Sequence, residues 1–107
     1  MRKIVPLTDI IERDNEYIII SDLPGATKDT LSIDIDKNIL TFKSAVNLNG
    51  DLKVIYREFE DSFEYERSFR LGNDIDHDGI KAKLENGVLA IVLPKSEKAK
   101  PKKIKIE

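Results

Sequence analysis

Between positions 62 and 71 apolar and polar side chains alternate without a slip: Phe63, Tyr65, Arg67, Phe69 and Leu71 fall on one side, Ser62, Glu64, Glu66, Ser68 and Arg70 on the other. A period of two is the period of a β-strand, whose successive side chains point to opposite faces. Elsewhere the apolar residues recur at the same spacing or in short blocks ended by turn residues, and no window of helical length carries a continuous 3.6-residue stripe. The chain is therefore expected to be all-β. A strand with one apolar and one polar face suits one sheet of a two-layer antiparallel sandwich. Arg67 lies on the aromatic face, where burial demands a carboxylate or carbonyl partner.

The same pattern predicts strands over 9–13, 16–21, 30–36, 39–43, 54–58, 62–71, 80–85 and 88–93. Asp36-Lys37-Asn38 and Asn86-Gly87 sit between apolar runs, where tight hairpins are expected. Asp22-Leu23-Pro24-Gly25 suits a turn, since Pro fixes φ and Gly tolerates the positive φ that follows. With 107 residues the chain is long enough for one modest core, hence one domain. Its 36% charged residues and formal charge of −2 give no dominant field, so neither nucleic acid nor an anionic membrane is expected as a partner. The absence of cysteine excludes disulfides, thiolate nucleophiles and Cys-ligated zinc. No apolar run approaches the roughly 20 residues of a membrane helix, and no stretch of signal-peptide type follows Arg2 and Lys3. A cytoplasmic protein is the expectation.

Two segments do not fit a plain sandwich. The loop 44–61 is longer than a hairpin connection, carries the turn residues Asn47, Asn49 and Gly50, and has a strand-like centre of Val54, Ile55, Tyr56, Arg57 and Glu58. A strand inside such an excursion can find its partner edge in a second subunit. The segment 96–103, rich in Lys, Glu and Pro, cannot bury a core and reads as the tether for the Ile104-Lys105-Ile106-Glu107 that follows it. On an extended backbone Ile104 and Ile106 point the same way, as paired knobs on a tether.

These pieces resemble the α-crystallin domain of the small heat-shock proteins. The matching residues are Asp22-Leu23-Pro24-Gly25, Tyr65-Glu66-Arg67-Ser68-Phe69, and Ala82-Lys83-Leu84-Glu85-Asn86-Gly87-Val88-Leu89 with Pro94-Lys95. Ile104-Lys105-Ile106 matches the family's C-terminal I-x-I motif. The resemblance runs from about Val5 to the end. It implies an immunoglobulin-like sandwich over 9–94 and a flexible extension at 95–107; residues 1–8 form a short arm where the family normally carries a long apolar one. It also implies an ATP-independent holdase that keeps partly unfolded clients from aggregating, with no cofactor and no catalytic residue. In such proteins the loop strand, here Val54 to Glu58, swaps onto a neighbour's first strand, here Asp9, Ile10 and Ile11 and the residues beside them, and makes a homodimer. Dimers then join into larger homo-oligomers when I-x-I enters a groove between two strands. By alternation Leu31, Ile33, Ile35, Ala82 and Leu84 are the side chains expected near that groove. Gly72 stands where the family usually has Pro, a departure that touches a loop.

Rival readings are weaker. Asp74-Ile75-Asp76-His77-Asp78-Gly79 with Glu85 satisfies the calcium-loop pattern, but such a loop needs flanking helices and both flanks alternate as strands. His77 is the one histidine, set in a polar loop with no nucleophile-elbow pattern nearby. None of the glycines forms a phosphate-binding loop. Lys95, Lys98, Lys100, Lys102, Lys103 and Lys105 make a basic tail, but with no aromatic residue for base stacking it reads as a solubilising tether. An adaptor resembling the CS-domain co-chaperones would share the sandwich, and the loop strand and I-x-I argue against it.

Overall fold

The structure, a computed structural model, describes residues 2–47, 62–97, 99 and 104–106. Among them are β1 (Arg2–Ile4), β2 (Thr8–Glu12), β3 (Glu16–Asp22), β4 (Leu31–Asp36), β5 (Ile39–Asn47), β6 (Ser62–Arg70), β7 (Lys81–Glu85) and β8 (Val88–Pro94), with a single 3-10 turn at His77–Gly79. The described strands form two sheets, ordered β1-β6-β5-β4 and β2-β3-β8-β7. The all-β sandwich expected from the alternation is the one observed. No helix among the described residues is long and apolar enough to cross a membrane.

The core lies between the sheets. Leu40, Phe42 and Val46 from β5 and Tyr65 from β6 face Ile19 of β3 and Leu89, Ile91 and Leu93 of β8, with Leu23 and Leu71 closing the layer. Phe42, fully buried, stacks on Phe69 at 6.4 Å between ring centroids. Arg67 on the same face is half-buried, donates to the carbonyl of Pro6 at 3.3 Å and sits over the Phe69 ring at 5.0 Å. Its required partner is thus a carbonyl, supplied from the chain's own N-terminal segment.

Three turns hold the layers in place. Lys37 and Asn38 have φ of +51° and +65°, and Asn86 and Gly87 have +52° and +76°, the paired positive φ of two-residue hairpins whose twist matches that of the strands. Gly25, at φ +88°, ends a turn in which the Ala26 N–H donates to the Leu23 carbonyl at 2.9 Å. A Cβ on Gly25 would lie 2.8 Å from Val46 Cγ1, so both conformation and space demand glycine.

The observed strands differ from the expected ones in three places. The arm 1–8 contains β1, which pairs in parallel with β6 in the register Arg2↔Phe63, Lys3↔Glu64 and Ile4↔Tyr65, so one pair in the sandwich is not antiparallel. Lys3 Nζ lies 2.8 Å from Glu66 Oε2, and this pairing raises the lysine pKa and lowers that of the glutamate. Strand β5 runs four residues past 43, so 44–47 belong to the sheet and not to the loop. Ser44 and Val46 are buried there, and the hydroxyls of Ser44 and Thr30 share a hydrogen bond of 3.1 Å. Finally, Lys95 is no part of a solvated tether. It is 8% exposed, its Nζ lies 2.9 Å from Glu12 Oε2 and 5.0 Å from the Tyr17 ring, and its N–H donates to the Asn15 carbonyl. The next residue is held too, with the Ser96 N–H donating to the Asp74 carbonyl at 2.7 Å.

Candidate functional site

Strand β4 ends one sheet and β7 ends the other. Along β4, Leu31, Ile33 and Ile35 share one face and Ser32, Asp34 and Asp36 the other; along β7, Ala82 and Leu84 oppose Lys81, Lys83 and Glu85. Between the two strands lies a cleft of about 360 Å³, lined by Leu31, Ile33, Ala82, Leu84 and the buried Leu89, with Lys28 and Lys83 also at its walls. Four of the five residues expected near a groove therefore meet around one cavity. Ile35 does not line it and is 37% exposed, because it stands at the far end of β4 beside the hairpin turn.

Backbone polarity follows from the hairpins. Two-residue turns make the flanking residues, Asp36 with Ile39 and Glu85 with Val88, hydrogen-bonded pairs. Alternation then points the N–H and C=O groups of Ser32 and Asp34, and of Lys81 and Lys83, toward the neighbouring strand. Those of Ile33 and of Ala82 and Leu84 point to the open edges. An extended segment laid along either edge can exchange main-chain hydrogen bonds with the residues whose side chains line the cleft, and place its own alternate side chains inside.

The chain carries a segment of that shape. Ile104 is 84% and Ile106 93% exposed, and neither is brought into the cleft of its own sandwich.

The opposite side of the molecule offers a different edge. Strand β2 pairs only with β3 among the described strands, leaving Asp9, Ile10 and Ile11 on an outer edge, with Ile10 56% and Ile11 40% exposed. The partner segment proposed for it, Val54 to Glu58, lies outside the described residues. A second cleft of about 260 Å³ opens beside Ile10, lined by Tyr17, Ile19, Phe69, Leu71, Asp74 and Ile75 among others. The Tyr17 hydroxyl donates to Asp74 Oδ2 at 2.6 Å, and this bond, helped by burial and the carboxylate charge, pushes the phenol up to about 12. Sequence reading missed this cleft, because its residues come from four separate segments and only their summed placement makes a cavity.

The calcium-loop carboxylates do not converge. Asp74 accepts from Tyr17, Asp76 caps the 3-10 turn by accepting from the Asp78 N–H at 3.1 Å, and Glu85 pairs with Lys83 at 3.3 Å within β7. No group of three metal-ligating side chains is assembled among the described residues. His77 lies in the 3-10 turn between these carboxylates.

Comparison with known proteins agrees with this architecture. The pattern of the Hsp20/alpha crystallin family matches residues 9–107. Small heat shock protein C4 of Rickettsia felis is 35% identical over 103 residues, which cover 94% of this chain and 63% of that protein. Small heat shock protein C2 of the same organism is 33% identical, over 99% of this chain and 70% of the relative. The chain thus spans about two thirds of the length of these relatives. Among solved structures, a small heat-shock protein from Xylella fastidiosa, described as having a distinct high order structure, superposes with a TM-score of 0.74 at 30% identity over 97% of both chains. Heat shock protein 16.0 from Schizosaccharomyces pombe gives a TM-score of 0.74 at 28% identity, over 97% of this chain and 99% of that one. Sandwich, turn motifs and terminal Ile-Lys-Ile together place the chain in the Hsp20/alpha crystallin family.

Proposed function

We propose that the protein is an ATP-independent holdase that binds partly unfolded chains and keeps them from aggregating, without catalysing a reaction. The observation that supports the reading is the presence, in one chain, of an apolar cleft with open strand edges and of two exposed isoleucines, Ile104 and Ile106, two residues apart. In the proposed resting assembly, dimers form by exchange of Val54 to Glu58 onto the edge at Asp9, Ile10 and Ile11. The tails of other dimers then cover Leu31, Ile33, Ala82 and Leu84. Burying two isoleucines is worth about 1.5–3 kcal/mol each, while each tail residue that becomes ordered costs about 1–2 kcal/mol. A single tail therefore binds weakly, and the assembly holds through several at once. Release of a tail uncovers the cleft for an extended apolar segment of a client.

The test is light scattering of a heat-unfolding client without nucleotide, run beside sedimentation of the protein itself. The chain should suppress scattering near stoichiometric ratios, and the double variant Ile104→Ser, Ile106→Ser should fall to dimers with altered client holding. Unchanged assembly and unchanged holding in that variant would sink the proposal.

A further inference from the structure

The two sheets turn unlike faces outward. On their outer side β5 and β6 carry Thr41, Lys43, Glu64, Glu66 and Ser68, the polar face that an antiparallel sheet normally shows to water. The outer face of the other sheet is apolar through its middle. Ile19, Ser21, Leu89, Ile91 and Leu93 are buried, so alternation turns Ile18, Ile20, Val88, Ala90 and Val92 outward, with Ile11 of β2 beside Ile18. Ile11 and Val88 are 40% and 39% exposed, whereas Ile18, Ile20, Ala90 and Val92 are half-buried without packing against the core. The described strands make only two layers, so none of them lies over this face. Its flanks differ in charge: the outer row of β2 carries Asp9, and that of β7 carries Lys81 and Lys83.

We infer that this face packs on the same face of a second copy, about a two-fold axis parallel to the strands. Across the sheet, one row runs Asp9, Ile20, Ala90, Lys83 and the next Ile11, Ile18, Val92, Lys81. The axis lays β2 over β7 of the second copy and β3 over its β8. Asp9 then faces Lys83, Ile20 faces Ala90 and Ile18 faces Val92, and the symmetry repeats each contact. A large side chain meets a small one at the centre, and opposite charges close both flanks. A two-fold axis across the strands would instead lay β7 over β7, lysines against lysines, so charge selects the first arrangement. Lys83 also pairs with Glu85 on its own strand at 3.3 Å, but both side chains are exposed, and such a pair yields readily. The strand exchange and tail docking proposed above use sheet edges and the cleft, and leave this face bare. Four strands about 4.8 Å apart and roughly five residues of 3.4 Å each give a footprint of about 300 Å² per copy. Stable interfaces bury about 800 Å² per partner, so the face joins copies weakly and adds to the contacts made at the edges.

The chain has no cysteine, so introduced ones report contacts between copies directly. Full-length chains carrying Asp9→Cys are mixed with chains carrying Lys83→Cys, allowed to exchange and treated with a short bifunctional maleimide. Each chain holds one cysteine, so every product joins two copies, and the mixed pair keeps its second contact between Asp9 and Lys83. Thr41→Cys, on the polar outer face, sets the background. The 9–83 product should exceed both the 83–83 product and the background severalfold, and Ile20→Lys in both chains should remove most of it. Because Ile20 points away from the core, that variant should keep the sandwich, which circular dichroism checks. A predominant 83–83 product would overturn the axis. A 9–83 yield at background, or one indifferent to Ile20→Lys, would overturn the interface. Background yield combined with weaker client holding in Ile20→Lys would give the face to clients, which also overturns the pairing of copies.

Discussion

Tyr17 joins three parts of the molecule that are far apart in the chain. Its ring lies under Lys95, its hydroxyl donates to Asp74, and Lys95 in turn reaches Glu12. The effect is to pin the segment after β8 against the β2–β3 hairpin, so that the extension leaves the sandwich from a fixed point. Because the phenol is held at about 12, above its ordinary value of 10.0, the protonated form is the one the fold favours. A raised pKa contributes stability that is fully present below the unfolded value and is lost as pH climbs through the folded one. Stability due to this bond should therefore be constant below about pH 10 and fall between about pH 10 and 12. In ultraviolet titration, Tyr17→Phe should remove a phenolate step at about 12, and below pH 10 it should cost about 0.5–1.5 kcal/mol. If the step lost in the variant lay at the ordinary phenol value of about 10 and not at about 12, Tyr17 would not be held by Asp74. Gly25→Ala makes a second test at this scale. With a φ of +88° and 2.8 Å to Val46 Cγ1, it should cost more than about 1 kcal/mol in denaturant unfolding.

At the scale of elements, alternation was legible wherever a strand was long enough to show a period. Seven of the eight predicted strands coincide with observed ones to within a few residues, and the eighth, 54–58, lies outside the described residues. The apolar face of β4 and β7 led directly to four cleft residues. What escaped reading was set by contacts distant in sequence. Three residues show no period, so β1 was invisible, although Ile4 packs against the core and Lys3 pairs with Glu66. The last part of β5 hid behind small and polar residues whose burial depends on β6 and Thr30. Lys95 looked like a tether residue because lysine is usually solvated, and its partner Glu12 lies 83 residues away. These contacts make β1 testable as a unit. Ile4→Asp should cost about 1–2 kcal/mol through lost apolar burial and release β1 from the edge of β6. Hydrogen exchange would show this as faster exchange over 2–4 and along β6, while the core amides of β3 and β8 stay protected. Loss of protection everywhere would mean that β1 is integral to the core and not a separable strand.

For the whole molecule, the described sandwich is a folded core whose sheets end in the edge strands β1, β2, β4 and β7. Open edges are sites of unwanted pairing unless something covers them, and in the proposed assembly that cover comes from other copies of the same chain. Folding and assembly should then be separable. Phe42 is fully buried between the sheets, so Phe42→Ala should lower sandwich stability by about 3–5 kcal/mol at any protein concentration. Ile104 and Ile106 are exposed on their own subunit, so Ile104→Ser, Ile106→Ser should leave unfolding unchanged in dilute solution, where tails are undocked. At higher concentration the parent should gain stability by mass action, because docked tails bind the folded state alone, and its unfolding midpoint should rise with concentration more steeply than that of the variant. Calorimetry across a dilution series separates these cases. Parallel curves for parent and variant, offset even at the lowest concentration, would mean that the isoleucines pack on their own sandwich, and the cleft between β4 and β7 would then be filled from within the subunit.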